Sequence, residues 1–436
     1  MNTDEMIQTN PHYVGDLGAD SSLQPFRIAA LDNVHADAVH ELASTEGIQI
    51  IDEPENAQGI LIRSTTKFID EEVFRRHQQL MQIIRVGVGH DNIDKHLASR
   101  HGIATLNTPG ASTDPVARRA LTFMLAWGGR VLHGTQSLRA GKWDKKQESK
   151  QLPDLSEMTL GIIGYGRIGQ ATARFSQPHF RRILFSDSRD IDGRTPIEEL
   201  VRESDVITLS VSGNDEVLTP TLIAQMKDHA LLVNTARGKN INTAALREKM
   251  NQGLTLALDV YPNEPKDEKK QEELDKLFGD EVMRSIIQHP NFMGTPHTAA
   301  SDTATQRKLG LEGAQRMREF ATQGIVNPQN IPGHTLPSIE PAQRMLPGIR
   351  GILTHESVPG QLEQIAGTIA DQRINITNLV NQEGGVNGGH RLAMTTFDLG
   401  PEVSAEEARR VMDIIQRRTR AYKTRLLQFS TPASDV

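Results

Sequence analysis

From Phe26 onward, short apolar runs alternate with amphipathic stretches; the residues before about Ser22 are polar and show no such period. The runs FRIAALDN, GIQIID, GILIRST, LMQIIRVG and GIATLNTP predict strands, and ADAVHELAST and HLASRHG predict helices between them. One long helix is predicted over ARRALTFMLAWGGRVLHGTQSL, capped by Thr113 or Asp114 with Pro115 in its first turn. A second series then begins. MTLGIIGYGRIGQATARFS reads as strand, glycine turn and helix. RRILFSD, DVITLSV, ALLVNTA and LTLALDV read as strands, with helices such as PTLIAQMK and TAALREKMNQG among them. Strands this continuously apolar suit a parallel sheet covered on both faces. KDEKKQEELDKLFGD predicts a solvated surface helix, and PGHTLPSIEPAQRMLPG a linker. Past the linker the pattern becomes βαββαβ, a small ferredoxin-like unit.

The 436 residues are enough for two or three domains. A net charge of -7 argues against a general nucleic-acid binder. The absence of cysteine excludes disulfides, thiolate nucleophiles and cysteine-ligated metal sites. The N-terminal segment has no basic start and apolar stretch of the secretory kind, and no run of about 18 apolar residues occurs. The expectation is a cytoplasmic protein without a membrane partner.

Gly164-Tyr165-Gly166-Arg167-Ile168-Gly169 fits G-x-G-x-x-G between an apolar strand and a helix. In that context the first glycine makes the turn, the second admits a pyrophosphate and the third lets helix and strand approach. The helix start offers amides to the phosphates. The next strand ends in Asp187, placed to bond the adenosine ribose hydroxyls and to repel a 2′-phosphate. NAD is therefore the favoured cofactor. Arg189 nearby keeps NADP open, because an arginine there can receive a 2′-phosphate.

Three chemically capable residues follow later strands: Arg237 after ALLVNTA, Glu264 after LTLALDV and His297 in GTPHTAAS. Ligands of open α/β sheets bind outside the carboxyl ends of the strands. Oxidation of an alcohol by hydride transfer to such a cofactor requires a proton to leave the hydroxyl as hydride leaves carbon. His297 suits the base, Glu264 its orienting partner and Arg237 a fork for the substrate carboxylate. Each residue alone has an ordinary structural role open to it; Glu264, for instance, is also placed to cap the charged helix that follows.

On these motifs the chain resembles the D-isomer-specific 2-hydroxyacid dehydrogenases, and within them most closely the D-3-phosphoglycerate dehydrogenases. The resemblance spans about Phe26 to Phe429. It rests on IRST, VGVGHDNID, LNTPG, LGIIGYGRIG, VNTARG, ALDVYPNEP and TPHTAAS in that order. It implies that Arg237, Glu264 and His297 are catalytic. It adds Ala236 and Asp259 to the cofactor site, the latter at the nicotinamide carboxamide. It places Arg63 and Ser64 near a substrate phosphate, Val88 and Gly89 at the substrate carboxylate and Asn107 on the substrate side.

The implied fold is α/β: two Rossmann-like, doubly wound parallel-sheet domains plus a C-terminal βαββαβ domain of ACT type. The expected boundaries are a flexible arm at 1–23, a substrate domain at 24–110 and 303–335, and an NAD domain at 111–302. A linker at 336–346 and a regulatory domain at 347–431 follow. HESVPG and RINI match the regulatory family's effector stretches, which singles out His355, Ser357 and Asn375 for an amino-acid effector such as serine. Ser357 replaces an asparagine there. Thr65 replaces a second basic residue of some phosphoglycerate enzymes, Arg118 a usual glutamate, and Ser210 and Ser212 part of a common H-V-P. The implied activity is oxidation of D-3-phosphoglycerate to 3-phosphohydroxypyruvate in serine biosynthesis, by a homodimer or homotetramer needing no metal. Another D-2-hydroxyacid dehydrogenase with a divergent tail, or a non-enzymatic dehydrogenase-like binding protein, are the alternatives.

Overall fold

A computed structural model describes residues 25–143, 145–146, 153–265, 269–323, 348–387, 390–419 and 421–429. The expected arm and linker lie outside these residues. The chain divides into two compact units, one of Met1–Gly110 with Gln306–Val436, the other of Ala111–Thr305.

The first unit holds five parallel strands: β1 (Phe26–Ala30), β2 (Ile48–Ile50), β3 (Gly59–Ile62), β4 (Gln82–Arg85) and β5 (Ala104–Asn107). They run in the order β2-β1-β3-β4-β5, so the winding reverses between β1 and β3. Every residue of β3 and β5 is buried, as strands covered on both faces require. The helix Thr303–Gln323 brings the chain back to this unit, and its Phe320 meets Phe26 edge-on at 5.8 Å.

The second unit is built on β6 (Thr159–Ile163), β7 (Arg182–Ser186), β8 (Val206–Leu209), β9 (Leu231–Asn234), β10 (Thr255–Leu258) and β11 (Phe292–Gly294). Their order, β11-β10-β9-β8-β6-β7, reverses between β6 and β8. The apolar periodicity did not reveal β11, only three residues long with a glycine at its end. The expected long helix is two helices, Thr113–Gly128 and Val131–Arg139. Arg130, at φ 46°, breaks them, following two glycines where the helix can stop without a side-chain clash. Ser112, not Thr113 or Asp114, holds the first capping position, and its side chain makes no cap.

The C-terminal part of the first unit is an antiparallel sheet of β12 (Gly348–Glu356), β13 (Ile376–Asn387), β14 (His390–Leu399) and β15 (Ala421–Phe429). Its order is β13-β14-β12-β15, with helices Gln361–Asp371 and Ala405–Arg418 completing βαββαβ. Ile349, Leu353, Phe397 and Leu399 pack on Ile365, Ile369, Val411 and Ile415 of those helices. From the sheet, Arg425 lies over the Phe26 ring at 3.9 Å and donates to the Ala321 carbonyl at 2.7 Å.

Candidate active site and dinucleotide site

The switch point of the six-stranded sheet is shaped by Gly164. Its φ is +91°, and a Cβ there would lie 2.7 Å from the Ser210 backbone, so glycine alone lets the turn after β6 pass the end of β8. A Cβ on Gly169 would sit 2.1 Å from the Gly164 carbonyl oxygen, which forces close approach of helix and turn. A Cβ on Gly166 would meet nothing within 4 Å, so open space lies over the start of the Arg167–Ser176 helix. Arg167, Ile168 and Gly169 form that first turn, and no side chain caps it. Past the ends of β8 and β9, Ser210 Oγ and Thr235 Oγ1 are buried without hydrogen-bond partners among the described residues. An uncapped helix start, open space above it and orphaned hydroxyls beside it fit a dinucleotide pyrophosphate.

Asp187 follows β7. Its carboxylate accepts from the Tyr165 amide at 2.7 Å and from the Arg189 amide and Nε, both at 2.9 Å. Arg189 Nη2 adds a fourth bond at 3.0 Å. The Arg189 guanidinium is the largest influence holding this carboxyl well below the usual carboxylate range. Tyr165 stacks on Phe185 at 3.9 Å, which fixes the loop between the first two motif glycines.

Three loops past β9, β10 and β11 carry Arg237, Glu264 and His297 within the second unit. Asn234, fully buried at the end of β9, donates to the Arg237 carbonyl at 2.8 Å and accepts from the Ala236 amide at 3.0 Å. Arg237 Nη1 donates to the Ala236 carbonyl at 2.8 Å. Gly238 then passes under the next loop: a Cβ on it would fall 1.9 Å from the Tyr261 carbonyl carbon. That approach sets the Arg237 loop against the segment carrying Glu264. Glu264 Oε1 accepts from the Tyr261 amide at 2.9 Å, and its Oε2 pairs with His297 Nδ1 at 2.7 Å.

The His297 loop hangs on Asp259. This carboxylate, 1% exposed, accepts from Thr295 Oγ1 at 2.5 Å, the Thr298 amide at 3.0 Å and the Ala299 amide at 3.1 Å. Each bond to a buried charge contributes about 1.5–3 kcal/mol. They hold His297 at φ 52°, a left-handed conformation uncommon outside glycine. In this structure Asp259 anchors the histidine loop, with its carboxylate turned to that loop.

The electrostatics follow. The hydrogen bond that His297 donates to Glu264 raises the His297 pKa above its ordinary 6.5, against desolvation and the Arg237 charge. Burial favours the neutral form of Glu264. The hydrogen bond and charge of His297, the Tyr261 amide and Arg237 together outweigh it and keep the carboxyl below its ordinary range. About half of the imidazole surface remains exposed (53%), although neighbours crowd its other side. With Nδ1 on Glu264, Nε2 is the nitrogen left to meet a substrate. Burial pushes the Tyr261 hydroxyl up to about 12, so it stays a neutral phenol beside these charges.

The remaining predicted residues lie in the first unit. Asp32, just past β1, accepts from the Arg63 amide at 2.8 Å, the Thr66 amide at 3.0 Å and Thr66 Oγ1 at 2.7 Å. Asn92 donates to the carbonyls of Arg63 at 2.9 Å and Thr66 at 2.6 Å. Arg63 and Ser64 thus ride on a loop pinned from two sides. Asn107 donates to the Val88 carbonyl at 2.7 Å, and its Oδ1 is buried without a partner among the described residues. Thr108 Oγ1 accepts from the Gly87 amide at 2.7 Å, fixing the loop that presents Val88 and Gly89. Sequence reasoning missed Asp32, Asn92, Thr108 and Asn234. The one available signal was a polar residue at or just past a strand end, and Asn92 lacks even that.

In the C-terminal sheet, His355 is buried, its ring nitrogens on the Glu356 carbonyl and Thr395 Oγ1, and burial lowers its pKa. Ser357 Oγ donates to Glu383, and Asn375 is exposed. Arg118 is an exposed residue of the Thr113–Gly128 helix whose charge helps keep Asp302 ionised.

Residues 121–299 match the D-isomer specific 2-hydroxyacid dehydrogenase, NAD binding domain family. A hydroxypyruvate reductase of Thermotoga maritima is 33% identical over 321 residues, covering 69% of this chain and 99% of the relative. The chain belongs to the D-isomer specific 2-hydroxyacid dehydrogenase family. D-3-phosphoglycerate dehydrogenase 2 of Saccharomyces cerevisiae is 26% identical over 404 residues, covering 85% and 84% of the two chains. The crystal structure of a glyoxylate reductase from Paecilomyes thermophila aligns with a TM-score of 0.59 at 25% identity, over 70% of this chain and 98% of that one. As a 2-hydroxyacid dehydrogenase the chain uses NAD, and its glycine loop lies in the matched NAD-binding domain. Among the described residues no helix is long and apolar enough to cross a membrane, and no cluster of metal-binding side chains occurs.

Proposed function

We propose that this 2-hydroxyacid dehydrogenase interconverts D-3-phosphoglycerate and 3-phosphohydroxypyruvate, with Arg237, Glu264 and His297 as its catalytic residues. The carrying observation is the 2.7 Å His297–Glu264 pair beside Arg237, on loops locked by Asn234, Gly238 and Asp259. Bound NAD supplies the acceptor for the substrate hydride. His297 Nε2 takes the hydroxyl proton as the carbonyl forms, and the Glu264 carboxylate stabilises the imidazolium through Nδ1. In the reverse direction the same nitrogen returns the proton. Arg237 holds the substrate carboxylate and polarises the carbonyl oxygen.

Arg63 supports the phosphorylated substrate: its backbone is fixed by Asp32 and Asn92, and its guanidinium has no hydrogen-bond partner among the described residues. Ser64 lies beside it; the family resemblance assigns Val88 and Gly89 to the substrate carboxylate and Asn107 to the substrate side, where its amide oxygen can accept from a substrate hydroxyl. Of the relatives above, the one matching the larger share of this chain is a phosphoglycerate dehydrogenase. We read the C-terminal βαββαβ domain as an ACT-type module for an amino-acid effector, on the match of HESVPG and the strand order. A second reading, reduction of an unphosphorylated keto acid, is favoured by Thr65 and by the hydroxypyruvate reductase relative.

NADH oxidation by the full chain with 3-phosphohydroxypyruvate, hydroxypyruvate, glyoxylate, pyruvate and 2-ketoglutarate separates the readings. The proposal expects kcat/KM for the phosphorylated acid to exceed the others by about 100-fold, as a charged group given a matching cation implies. Equal or better turnover of an unphosphorylated acid overturns the phosphate assignment. Failure with every acid overturns the catalytic one.

A further inference from the structure

The adenosine-ribose end of the dinucleotide site holds more than an acid. A carboxylate offers about four acceptor positions, and Asp187 has four bonds in place. Two come from backbone amides, Tyr165 and Arg189, and are part of the loop. Two come from the Arg189 guanidinium, whose Nη2 also donates to the Tyr165 carbonyl at 3.2 Å. The acid is nearly enclosed, at 8% side-chain exposure, while the Arg189 side chain lying on it is 62% exposed. A second arginine, Arg194, donates to the Asp187 carbonyl at 3.5 Å and pairs with Asp190 at 3.2 Å.

This arrangement changes what the acid does. An open carboxylate selects NAD twice, by accepting the ribose hydroxyls and by repelling a 2′-phosphate. Here the ribose diol finds the acceptors taken, and a phosphate meets a carboxylate whose charge is matched by an adjacent guanidinium. The Arg189 side chain is 62% exposed and its Nη1 makes none of these bonds, so it can meet a phosphate while Nε and Nη2 stay on the carboxylate. We propose that Arg189 is a cofactor-selectivity residue: it competes with the ribose for Asp187 and offers its fork to a 2′-phosphate, so the chain accepts NADP(H) alongside NAD(H). The inference concerns the cofactor end alone and stands whichever hydroxy acid is the substrate.

Calorimetric titration of the full-length protein with ADP-ribose and with 2′-phospho-ADP-ribose tests this without turnover. The wild type is expected to bind the two within about tenfold of each other, and to lose the phosphorylated ligand as salt rises. Arg189→Ala is expected to bind ADP-ribose several-fold tighter and to widen the ratio by about 10- to 100-fold, on the scale of one charge-assisted pair. Arg189→Lys, which keeps the charge without the fork, is expected to fall between them. The side chain is exposed, so folding is not at stake, and the melting temperatures of the variants confirm it. A ratio unchanged in Arg189→Ala overturns the proposal even if ADP-ribose binds more tightly. So does a wild-type preference for ADP-ribose beyond about 1,000-fold, which is what an open carboxylate delivers.

Discussion

The two parallel sheets wind alike and use their switch points in opposite ways. Between β6 and β8 the chain turns on Gly164, and the helix start behind it is left open and uncapped. Between β1 and β3 the corresponding turn carries Asp32 and Asn33, at φ 59° and 54°, and no glycine. The Asp32 carboxylate fills that switch point and binds the Arg63–Thr66 loop. One crevice is thus left open, as the proposed dinucleotide site needs, and the other is filled by a carboxylate that holds a loop in place. The topology provides a crevice in both; the residue at the turn decides whether it receives a ligand or becomes scaffold.

The largest test of that division is His297→Ala. It is expected to lower kcat by about 10²–10⁴ with ADP-ribose affinity changed less than threefold, since the proposed base and the proposed pyrophosphate turn are separately built. Loss of ADP-ribose binding in that variant would merge the two functions. Gly169→Ala comes next. The new Cβ meets a backbone oxygen that cannot yield, so calorimetry should show ADP-ribose binding weakened by about 10- to 100-fold. Asp32→Ala is the counterpart in the other sheet. It leaves the Arg63 and Thr66 amides without their acceptor, and KM for the keto acid should rise about tenfold with ADP-ribose binding unchanged. A fall in ADP-ribose affinity instead would show that the plugged crevice is not independent of the open one.

The subtlest effect is on pH. Glu264 raises the His297 pKa, so the imidazolium survives to higher pH than in a free histidine. With His297 as the proposed acid and base, reduction, which needs the proton, falls as the pH climbs through the raised value, and oxidation, which needs the neutral ring, rises through the same value. In Glu264→Gln the largest raising influence is gone. Desolvation and Arg237 then pull the pKa down, with Asp259 opposing, so both limbs should move to lower pH. A pH–rate profile of kcat/KM whose limbs stay in place would remove Glu264 from the proton step.

What was legible in the sequence had local causes. The glycine motif was readable because its turn and helix start are demands on six consecutive residues. The strands of the second unit were readable because burial on both faces leaves them almost wholly apolar. The three-residue β11 offered too short a run for any period, and the break at Arg130 depends on one residue's φ within a helix-forming stretch. Arg237, Glu264 and His297 were nameable as chemically apt residues after strands, and through the family resemblance.

By itself, then, the sequence determined the two strand–helix series, the terminal βαββαβ pattern, the dinucleotide turn and the residue types available for hydride and proton transfer. Only the tertiary structure decided how they are held. Asn92 lies 26 and 29 residues from the carbonyls it bonds, and Asp259 36 to 40 residues from the loop it anchors. In a parallel sheet neighbouring strands are joined through crossover helices, so the ends that meet in space are far apart in the chain. The same physics hid the sealing of Asp187. That an acid stood two residues before an arginine was plain in the sequence. That their side chains close on each other, with the Tyr165 amide reaching the same carboxylate from 22 residues away, only the structure shows.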